Sequence, residues 1–320
     1  GSDVATRMTA ADRAAEHHAR GVEYANCQNF SAAIAEFDRA LAVDPTQLKA
    51  LNNRGDAYAA LKDYASALSD FDQALSRDPL FAAAYNNRGL VQIALSAYKH
   101  GVADFEAALR LDPSSALTWH NRGLALAALG RHALALSDFD KSIELSALFA
   151  NAFHNRGVCH TALGDFDRAL ADYDRELTIV PAWPVAFFNR AFVRSLRGAW
   201  EAAVTDYTSA IGHDPGLADA YANRSELFRV RGDLERADRD FTEAIQAAPQ
   251  RQRGYTLRGE CRQTAGRLHD SLTDFAAAIE CDNTSPGPFN SCSGPGSRRE
   301  RVATTDEPQQ PDKGITIALG

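Results

Sequence analysis

The chain lacks the features of a membrane, secreted or nucleic-acid-binding protein. No apolar run approaches the ~20 residues needed to cross a bilayer, and no basic N-terminal segment followed by an apolar stretch predicts a secretory signal. The 42 acidic residues outnumber the 34 basic ones, giving a net charge of −8, whereas a general nucleic-acid binder needs clustered cations. We therefore expect a cytoplasmic protein without membrane insertion and without a nucleic-acid partner.

Metal and catalytic motifs are also missing. The five cysteines include no C-x-x-C pair, and an odd, scattered set argues against a disulfide framework or a zinc site. We interpret Cys159 and Cys261 as small buried apolar residues. There is no G-x-S-x-G elbow, phosphate loop, H-E-x-x-H or kinase signature. The sequence therefore predicts no catalytic residue, no cofactor and no metal site, and a chain that is not an enzyme.

What the sequence does have is a period of 34 residues. A small residue recurs at this spacing in Gly21, Gly55, Gly89, Gly123, Gly157, Ala191, Ser225 and Gly259. Sixteen residues after each stands an aromatic: Phe37, Phe71, Phe105, Phe139, Tyr173, Tyr207, Phe241 and Phe275. Proline recurs in the same register in six of the eight units. A period of this length that is sustained over eight units indicates a repeat architecture.

Segments such as "FHNRGVCHTALGDFDRALADYDREL" resemble the tetratricopeptide repeat family. The resemblance covers residues 14–285 in eight units: 14–47, 48–81, 82–115, 116–149, 150–183, 184–217, 218–251 and 252–285. It implies an all-α fold, a right-handed superhelical α-solenoid of about eight helix-turn-helix hairpins. Residues 1–13 would be a lead-in, with Thr9 and Asp12 spaced as in a capping box, and residues 286–320 have the composition of a disordered tail.

The period has a simple physical interpretation. A small residue on the first helix of each hairpin, helix A, lets the second, helix B, approach closely, and the aromatic residue wedges between hairpins. Glycine in segments such as "LGD" and "LGR" marks the turn between the helices, because a left-handed backbone costs glycine little. Stacked hairpins bury apolar faces that one hairpin alone cannot bury, and they leave an extended concave surface.

Arginine precedes the small residue in every unit, and an acid follows each arginine sixteen residues later, as in Arg54 and Asp70. We interpret this as a ladder of ion pairs between helices, since a partly buried guanidinium requires a carboxylate partner. The alternative, an anion-binding track, would require the acids to lie elsewhere.

In the family that the sequence resembles, helix A lines the groove, and its sixth position faces it. That position is asparagine in six consecutive units: Asn53, Asn87, Asn121, Asn155, Asn189 and Asn223. An amide offers donors and an acceptor, so an accessible row of amides could hold the backbone of a bound peptide. The alternative is that these amides stabilise helix packing. Repetition along one row favours the peptide interpretation.

The rest of the predicted groove is apolar in the middle and polar at its ends, with Asp56 at one side and Arg229, Glu226 and Glu260 at the other. An exposed apolar patch of this extent usually marks a partner site. The predicted groove residues besides the asparagines are Leu90, Leu124, Val158, Phe188, Phe192, His120 and His154. Phe188 and Phe192 are four residues apart, so both should be exposed or both buried. Metal binding by His120 and His154 is not expected, because adjacent repeats hold them too far apart.

These features predict a non-enzymatic scaffold or adaptor that binds a peptide segment of a partner protein in the concave groove. One alternative is a structural component of a large assembly, such as a ciliary or cytoskeletal complex. The other is the substrate-recognition part of an enzyme whose catalytic domain is absent here. The residue pattern of co-chaperones that hold the C-terminal carboxylate of heat-shock proteins is missing, because the ninth position is never asparagine. We therefore do not expect a carboxylate-clamp co-chaperone.

Overall fold

The computed structural model describes residues 9–284, and every regular element in that range is an α-helix. The sixteen helices of this range are α1 (Ala10–Asn26), α2 (Phe30–Val43), α3 (Leu48–Ala60), α4 (Tyr64–Arg77), α5 (Ala82–Ala94), α6 (Tyr98–Leu111), α7 (Ala116–Ala128), α8 (His132–Leu145), α9 (Ala150–Ala162), α10 (Phe166–Ile179), α11 (Pro184–Leu196), α12 (Trp200–His213), α13 (Ala218–Val230), α14 (Leu234–Ala247), α15 (Gln252–Thr264) and α16 (Leu268–Thr284). Odd-numbered helices are the predicted A helices, and even-numbered helices are the B helices. The predicted tail, 286–320, and most of the lead-in lie outside the described residues.

The chain divides into two compact units, and the division falls between Ala152 and Phe153, inside α9. We call them the first unit and the second unit. Among the helices of residues 9–284, none has both the length and the apolar character needed to cross a bilayer.

Each hairpin closes on the contact between its small residue and its aromatic residue. A Cβ atom added at Gly55 would lie 2.7 Å from Cε1 of Phe71, closer than packed carbon atoms can come. Phe71 is fully buried, and it packs against Ala67 of its own helix and Val91 of the following hairpin. The predicted roles of both positions, close approach and wedge, are therefore confirmed.

The turn between helices A and B holds one residue in a left-handed conformation. Five of these residues are glycines, among them Gly130 with φ +73° and Gly164 with φ +77°, as the "LGR" and "LGD" segments predict. In the first three hairpins the same conformation falls on Gln28, Lys62 and Ser96, with φ between 58° and 62°. Helix packing thus imposes the turn even where the sequence offers no glycine, at a strain of about 1–2 kcal/mol.

The helix start at the N-terminus is the predicted capping box. The Asp12 backbone N–H donates to Thr9 Oγ1 at 3.1 Å, and the Thr9 backbone N–H donates to Asp12 Oδ2 at 2.9 Å. Two of the N–H groups that a helix start leaves unpaired are thereby satisfied.

The predicted ladder of ion pairs is confirmed in all eight hairpins. The pairs are Arg20–Glu36, Arg54–Asp70, Arg88–Asp104, Arg122–Asp138, Arg156–Asp172, Arg190–Asp206, Arg224–Asp240 and Arg258–Asp274. Arg54 also bonds to Asp38 of the preceding hairpin through Nη1, at 2.6 Å. The same guanidinium therefore joins helix A to its own helix B and to the previous one.

No described residue covers the outer side of the last described hairpin. Leu268, Leu272 and Ile279 of α16 are each more than 60% exposed. Phe275 is only half-buried, although the aromatic residues at its position in the other hairpins are buried. The hairpin contacts of Phe275 remain, since a Cβ at Gly259 would lie 2.7 Å from its Cε1. In an earlier hairpin, the corresponding aromatic residue Phe71 also packs against the hairpin that follows, through Val91. No described hairpin makes this contact with Phe275.

Candidate functional site

The A helices form the inner side of each unit. Neighbouring A helices contact one another, as α3 does α1 and α5 in the first unit and α13 does α11 and α15 in the second. Within either unit, no contact joins neighbouring B helices of the described residues. In a stack that bends, the layer whose members lie closest together is on the inside. We call this surface, formed by the A helices and carrying the asparagine row, the inner wall.

The asparagines of the inner wall hydrogen-bond between hairpins. In the first unit, Asn87 Nδ2 donates to Asn52 Oδ1 at 3.2 Å, and Asn121 Nδ2 donates to Asn86 Oδ1 at 3.1 Å. Asn53 Nδ2 lies 3.0 Å from Nε2 of His18 on the first A helix. Each amide thus meets the residue one position earlier in the repeat of the preceding hairpin. This arrangement favours the packing interpretation of the row, because the amide donors are already in use.

The predicted accessibility of the row is wrong at two positions. Asn121 is only 4% exposed, and Asn189 is fully buried, because each is enclosed where successive A helices pack. The other four, Asn53, Asn87, Asn155 and Asn223, are half-buried. The row is therefore partly a structural seam between hairpins, and its accessible part is smaller than the repeat pattern suggested.

The two histidines of the predicted site are buried as well. His120 lies against the rings of Phe139 and Phe149, with centroids 5.5 and 4.7 Å away. Nδ1 of His154 lies 3.0 Å from both carboxylate oxygens of Glu176, which is buried. Both side chains therefore contribute to the core rather than to an open surface, and the prediction that they line the groove is wrong in this respect.

The predicted apolar lining divides into a buried and a reachable part. Phe188 and Phe192 are 3% and 4% exposed, so the expectation that the two share one environment is confirmed, and it is the buried one. Phe188 meets Tyr207 edge-on inside the core, with ring centroids 5.7 Å apart. A large aromatic side chain at these positions fills the space between helices. Leu90, Leu124 and Val158 are half-buried and keep a face toward solvent.

Asp56 is the inner-wall residue that sequence reasoning undervalued. Its Oδ2 atom accepts hydrogen bonds from Asn87 Nδ2 at 3.0 Å and Asn52 Nδ2 at 3.3 Å. Burial, with no opposing charge, raises the pKa of this carboxyl to about 8 from 3.8. The side chain is half-buried in the first unit. The signal in the sequence was an acid at a position that is apolar in the following hairpins, at Leu90 and Leu124.

This raised pKa predicts a pH-dependent stability. Because the folded-state pKa lies above the unfolded value, the folded state binds the proton more tightly, and the contribution of Asp56 to stability is fully present below about pH 4 and is lost as the pH rises through 8. Replacing Asp56 with asparagine should remove this loss. Between pH 5 and pH 8.5, about three pH units lie below the folded pKa, and at ~1.4 kcal/mol each they set an upper bound of about 4 kcal/mol. Because the carboxyl group is only half-buried and is partly screened by solvent, urea unfolding should show wild type losing about 1–2 kcal/mol relative to Asp56→Asn.

The matched control for this measurement is Glu106→Gln. Glu106 is exposed on α6, so the substitution makes the same charge change away from the inner wall. Its unfolding free energy should vary with pH as that of the wild type does. An equal pH dependence of Asp56→Asn and wild type would contradict a proton held at Asp56.

Several charged groups of the second unit's inner wall are paired. Arg229 bonds to Glu226 through Nε at 2.8 Å. Arg253 Nη2 donates to Asn223 Oδ1 at 3.0 Å, and Arg251 pairs with Asp219 at 3.0 Å. This part of the wall therefore carries ion pairs, whereas the first unit carries the apolar Leu90 and Leu124 beside the Asp56 carboxyl group.

The cysteines agree with their predicted place in the core. Cys159 and Cys261 are both buried, and burial raises the pKa of the Cys159 thiol to about 12, which keeps it protonated and unreactive. Within residues 9–284 no three histidine, cysteine or acidic side chains come close enough together to hold a metal ion.

Within each unit, stacked helical hairpins with the A helices on the inner side have the architecture of a helical repeat protein. Profiles of the tetratricopeptide repeat family match residues 48–80 and, overlapping, residues 98–147 and 120–184. These matches support the predicted membership of the tetratricopeptide repeat family, and the predicted all-α solenoid is confirmed. Proteins of this family are in general non-catalytic scaffolds that bind protein partners.

Solved structures show the same fold at low sequence identity. A tetratricopeptide repeat protein from Parabacteroides merdae is 18% identical, with a TM-score of 0.60, over 81% of this chain and 99% of that one. PilF of Pseudomonas aeruginosa is 17% identical, with a TM-score of 0.61, over 68% of this chain and 99% of that one. The Cut9–Hcn1 structure of the APC/C is 14% identical, with a TM-score of 0.58, over 80% of this chain and 51% of that one. No curated protein matches the sequence significantly.

Proposed function

We propose that this protein is an adaptor that binds a segment of a partner protein along its inner wall, chiefly in the first unit. The observation that carries the proposal is the pair Leu90 and Leu124. These side chains occupy the same position on α5 and α7, which contact each other, and both stay half-buried. Two apolar faces on adjacent helices can hold apolar side chains of a bound segment. The general role of the fold as a protein-interaction scaffold supports the same function.

The asparagine row has a narrower role in this proposal than the sequence suggested. Asn53 and Asn87 keep partial exposure. Their amide oxygens each accept one hydrogen bond, from Asn52 and Asn86, and the second lone pair of each can accept another from the backbone of a bound segment. Substituting Asn121, Asn155 and Asn189 together by alanine would not be a clean test of binding, because Asn121 and Asn189 are buried and their loss should also reduce stability.

A cleaner test changes the leucines. We expect the double variant Leu90→Lys, Leu124→Lys to lose partner binding by tenfold or more, because the added charges would have to be desolvated against apolar groups. Partners would be identified by affinity purification with the wild-type chain, and each affinity would then be measured with purified components. Circular dichroism would establish that the variants keep their helices.

The matched control is Leu80→Lys, Leu134→Lys. These leucines are 72% and 55% exposed, and neither is on an A helix, so the variant makes the same chemical change outside the inner wall. The control should bind as the wild type does. Loss of binding in the control alone would refute the inner-wall proposal and would favour a component that assembles through its outer surface.

A further inference from the structure

The Asp56 carboxyl group has one oxygen that the protein itself does not use. Oδ2 accepts both available amide hydrogen bonds, from Asn52 and Asn87, whereas no described residue bonds to Oδ1. The side chain is half-buried on α3, at the level where α3 contacts α5. Two amides thus fix the direction of Oδ2, and Oδ1 remains available to a group that binds from solvent.

Among the described residues of the first unit, no cation neutralises this carboxyl group. Arg54, two residues away, commits its guanidinium to Asp70 and Asp38 at 2.6–2.8 Å. Arg88, adjacent to Asn87, bonds in the same way to Asp104 and Asp72. His18, connected to this network through Asn53, is no substitute, since burial and then Lys49 lower its pKa.

The second unit has an acid at the same repeat position as Asp56, and that acid is neutralised by a neighbouring cation. There Glu226 pairs with Arg229, one helical turn away on the same face. The corresponding neighbour of Asp56 is Ala59. Ionising a half-buried carboxyl group without a cation partner costs free energy. A cation bound beside Asp56 would therefore stabilise its ionised form.

We propose that the Asp56 carboxylate, oriented by Asn52 and Asn87, receives the ammonium or guanidinium group of a lysine or arginine in the bound partner segment. The proposal rests on the proposed function and specifies the partner's chemistry. Leu90 occupies the next hairpin at the same repeat position, so a segment that crosses both sites carries a basic residue close to an apolar one.

The protonation state of Asp56 supplies a second signature. Burial raises its pKa to about 8, so near pH 7 the carboxyl group of the free protein is mostly protonated. A bound cation favours the charged form, and the proton then leaves to solvent. Binding of a basic segment therefore releases close to one proton, whereas binding of a neutral segment at Leu90 and Leu124 alone releases none.

The experiment uses the full chain to select from a random twelve-residue peptide library displayed on phage. The wild type and the charge-matched control Glu106→Gln should enrich peptides with a lysine or arginine next to apolar residues. Asp56→Asn should bind these peptides tenfold or more weakly, because removing one member of a buried charge pair leaves the other uncompensated. Calorimetry in phosphate and Tris buffers at pH 7 should show proton release for the wild type and its absence for Asp56→Asn.

Failure of this inference and failure of the proposed function give different results. Enriched peptides that lack a basic residue, or that bind Asp56→Asn as tightly as wild type, would overturn the role of Asp56 and leave peptide binding intact. Peptides that bind the double variant Leu90→Lys, Leu124→Lys unchanged would overturn the inner-wall function. If the wild type enriches no peptide, both proposals fail.

Discussion

Replacing Phe71 with alanine should cost about 3–5 kcal/mol of unfolding free energy, the usual loss when a buried aromatic side chain becomes a cavity. Phe71 is fully buried between two hairpins, with Gly55 on one side and Val91 on the other. Neighbouring backbone cannot easily collapse into the space, because the helices are held apart by the rest of the repeat. Urea unfolding, together with hydrogen exchange of the peptides that cover α3 to α5, would measure the loss.

The chain contains its own control in Phe275→Ala. Phe275 makes the same contact with Gly259 but is half-buried, because no described hairpin follows it. We expect roughly half the loss that Phe71→Ala shows, and we expect it to be confined to exchange in α15 and α16. Equal losses at the two positions would mean that the aromatic wedge acts only within its own hairpin, contrary to the contact with Val91.

Replacing Asp206 with alanine should destabilise the second unit by about 3 kcal/mol, near the lower end of the cost of breaking a buried ion pair. Asp206 is 2% exposed and accepts hydrogen bonds from Arg190 Nε at 2.8 Å and Arg194 Nη1 at 2.7 Å. Its loss would strand two partly buried guanidinium groups. The lower end applies because Arg190 keeps a bond to the exposed Asp174 at 2.6 Å.

The comparison variant for this prediction is Glu144→Ala. Glu144 pairs with Lys141 at 2.8 Å, but the two side chains are 66% and 39% exposed. Solvent screens such a pair, and its removal should change the unfolding free energy by less than about 1 kcal/mol. Urea unfolding of both variants in the same buffer checks the contrast. Similar losses of unfolding free energy in the two variants would show that burial does not determine how much an ion pair of the arginine ladder stabilises the protein.

Most of the fold follows from residues that recur in register. Gly55 allows close helix approach, Phe71 fills the space between hairpins, and Arg54 pairs with an acid. Residues of the same kind repeat every 34 residues, so these contacts could be predicted in every hairpin. The turn conformation was predictable at Gly164 but not at Lys62. There, the requirement comes from how the two helices pack, and a long polar side chain gives no sign of it.

The candidate site was less predictable, because the exposure of a side chain depends on the surrounding residues, and these cannot be read from its position in the repeat. Asn87 and Asn121 occupy the same repeat position, yet one is half-buried and the other almost fully enclosed. The difference arises from the side chains that surround them, which vary from hairpin to hairpin. Phe188 and Phe192 were expected to line the groove, but their size takes them into the core, where burial of aromatic area is most favourable.

The sequence by itself determined the number of hairpins, the close contact of glycine with an aromatic ring, and the pairing of each arginine with an acid. These depend on spacing along the chain, which the sequence states directly. Only the tertiary structure decided which inner-wall side chains remain reachable and that Asp56 has no cation partner among residues 9–284. Those properties depend on solvent exclusion and on charges from separate helices, and they exist only once the hairpins are stacked.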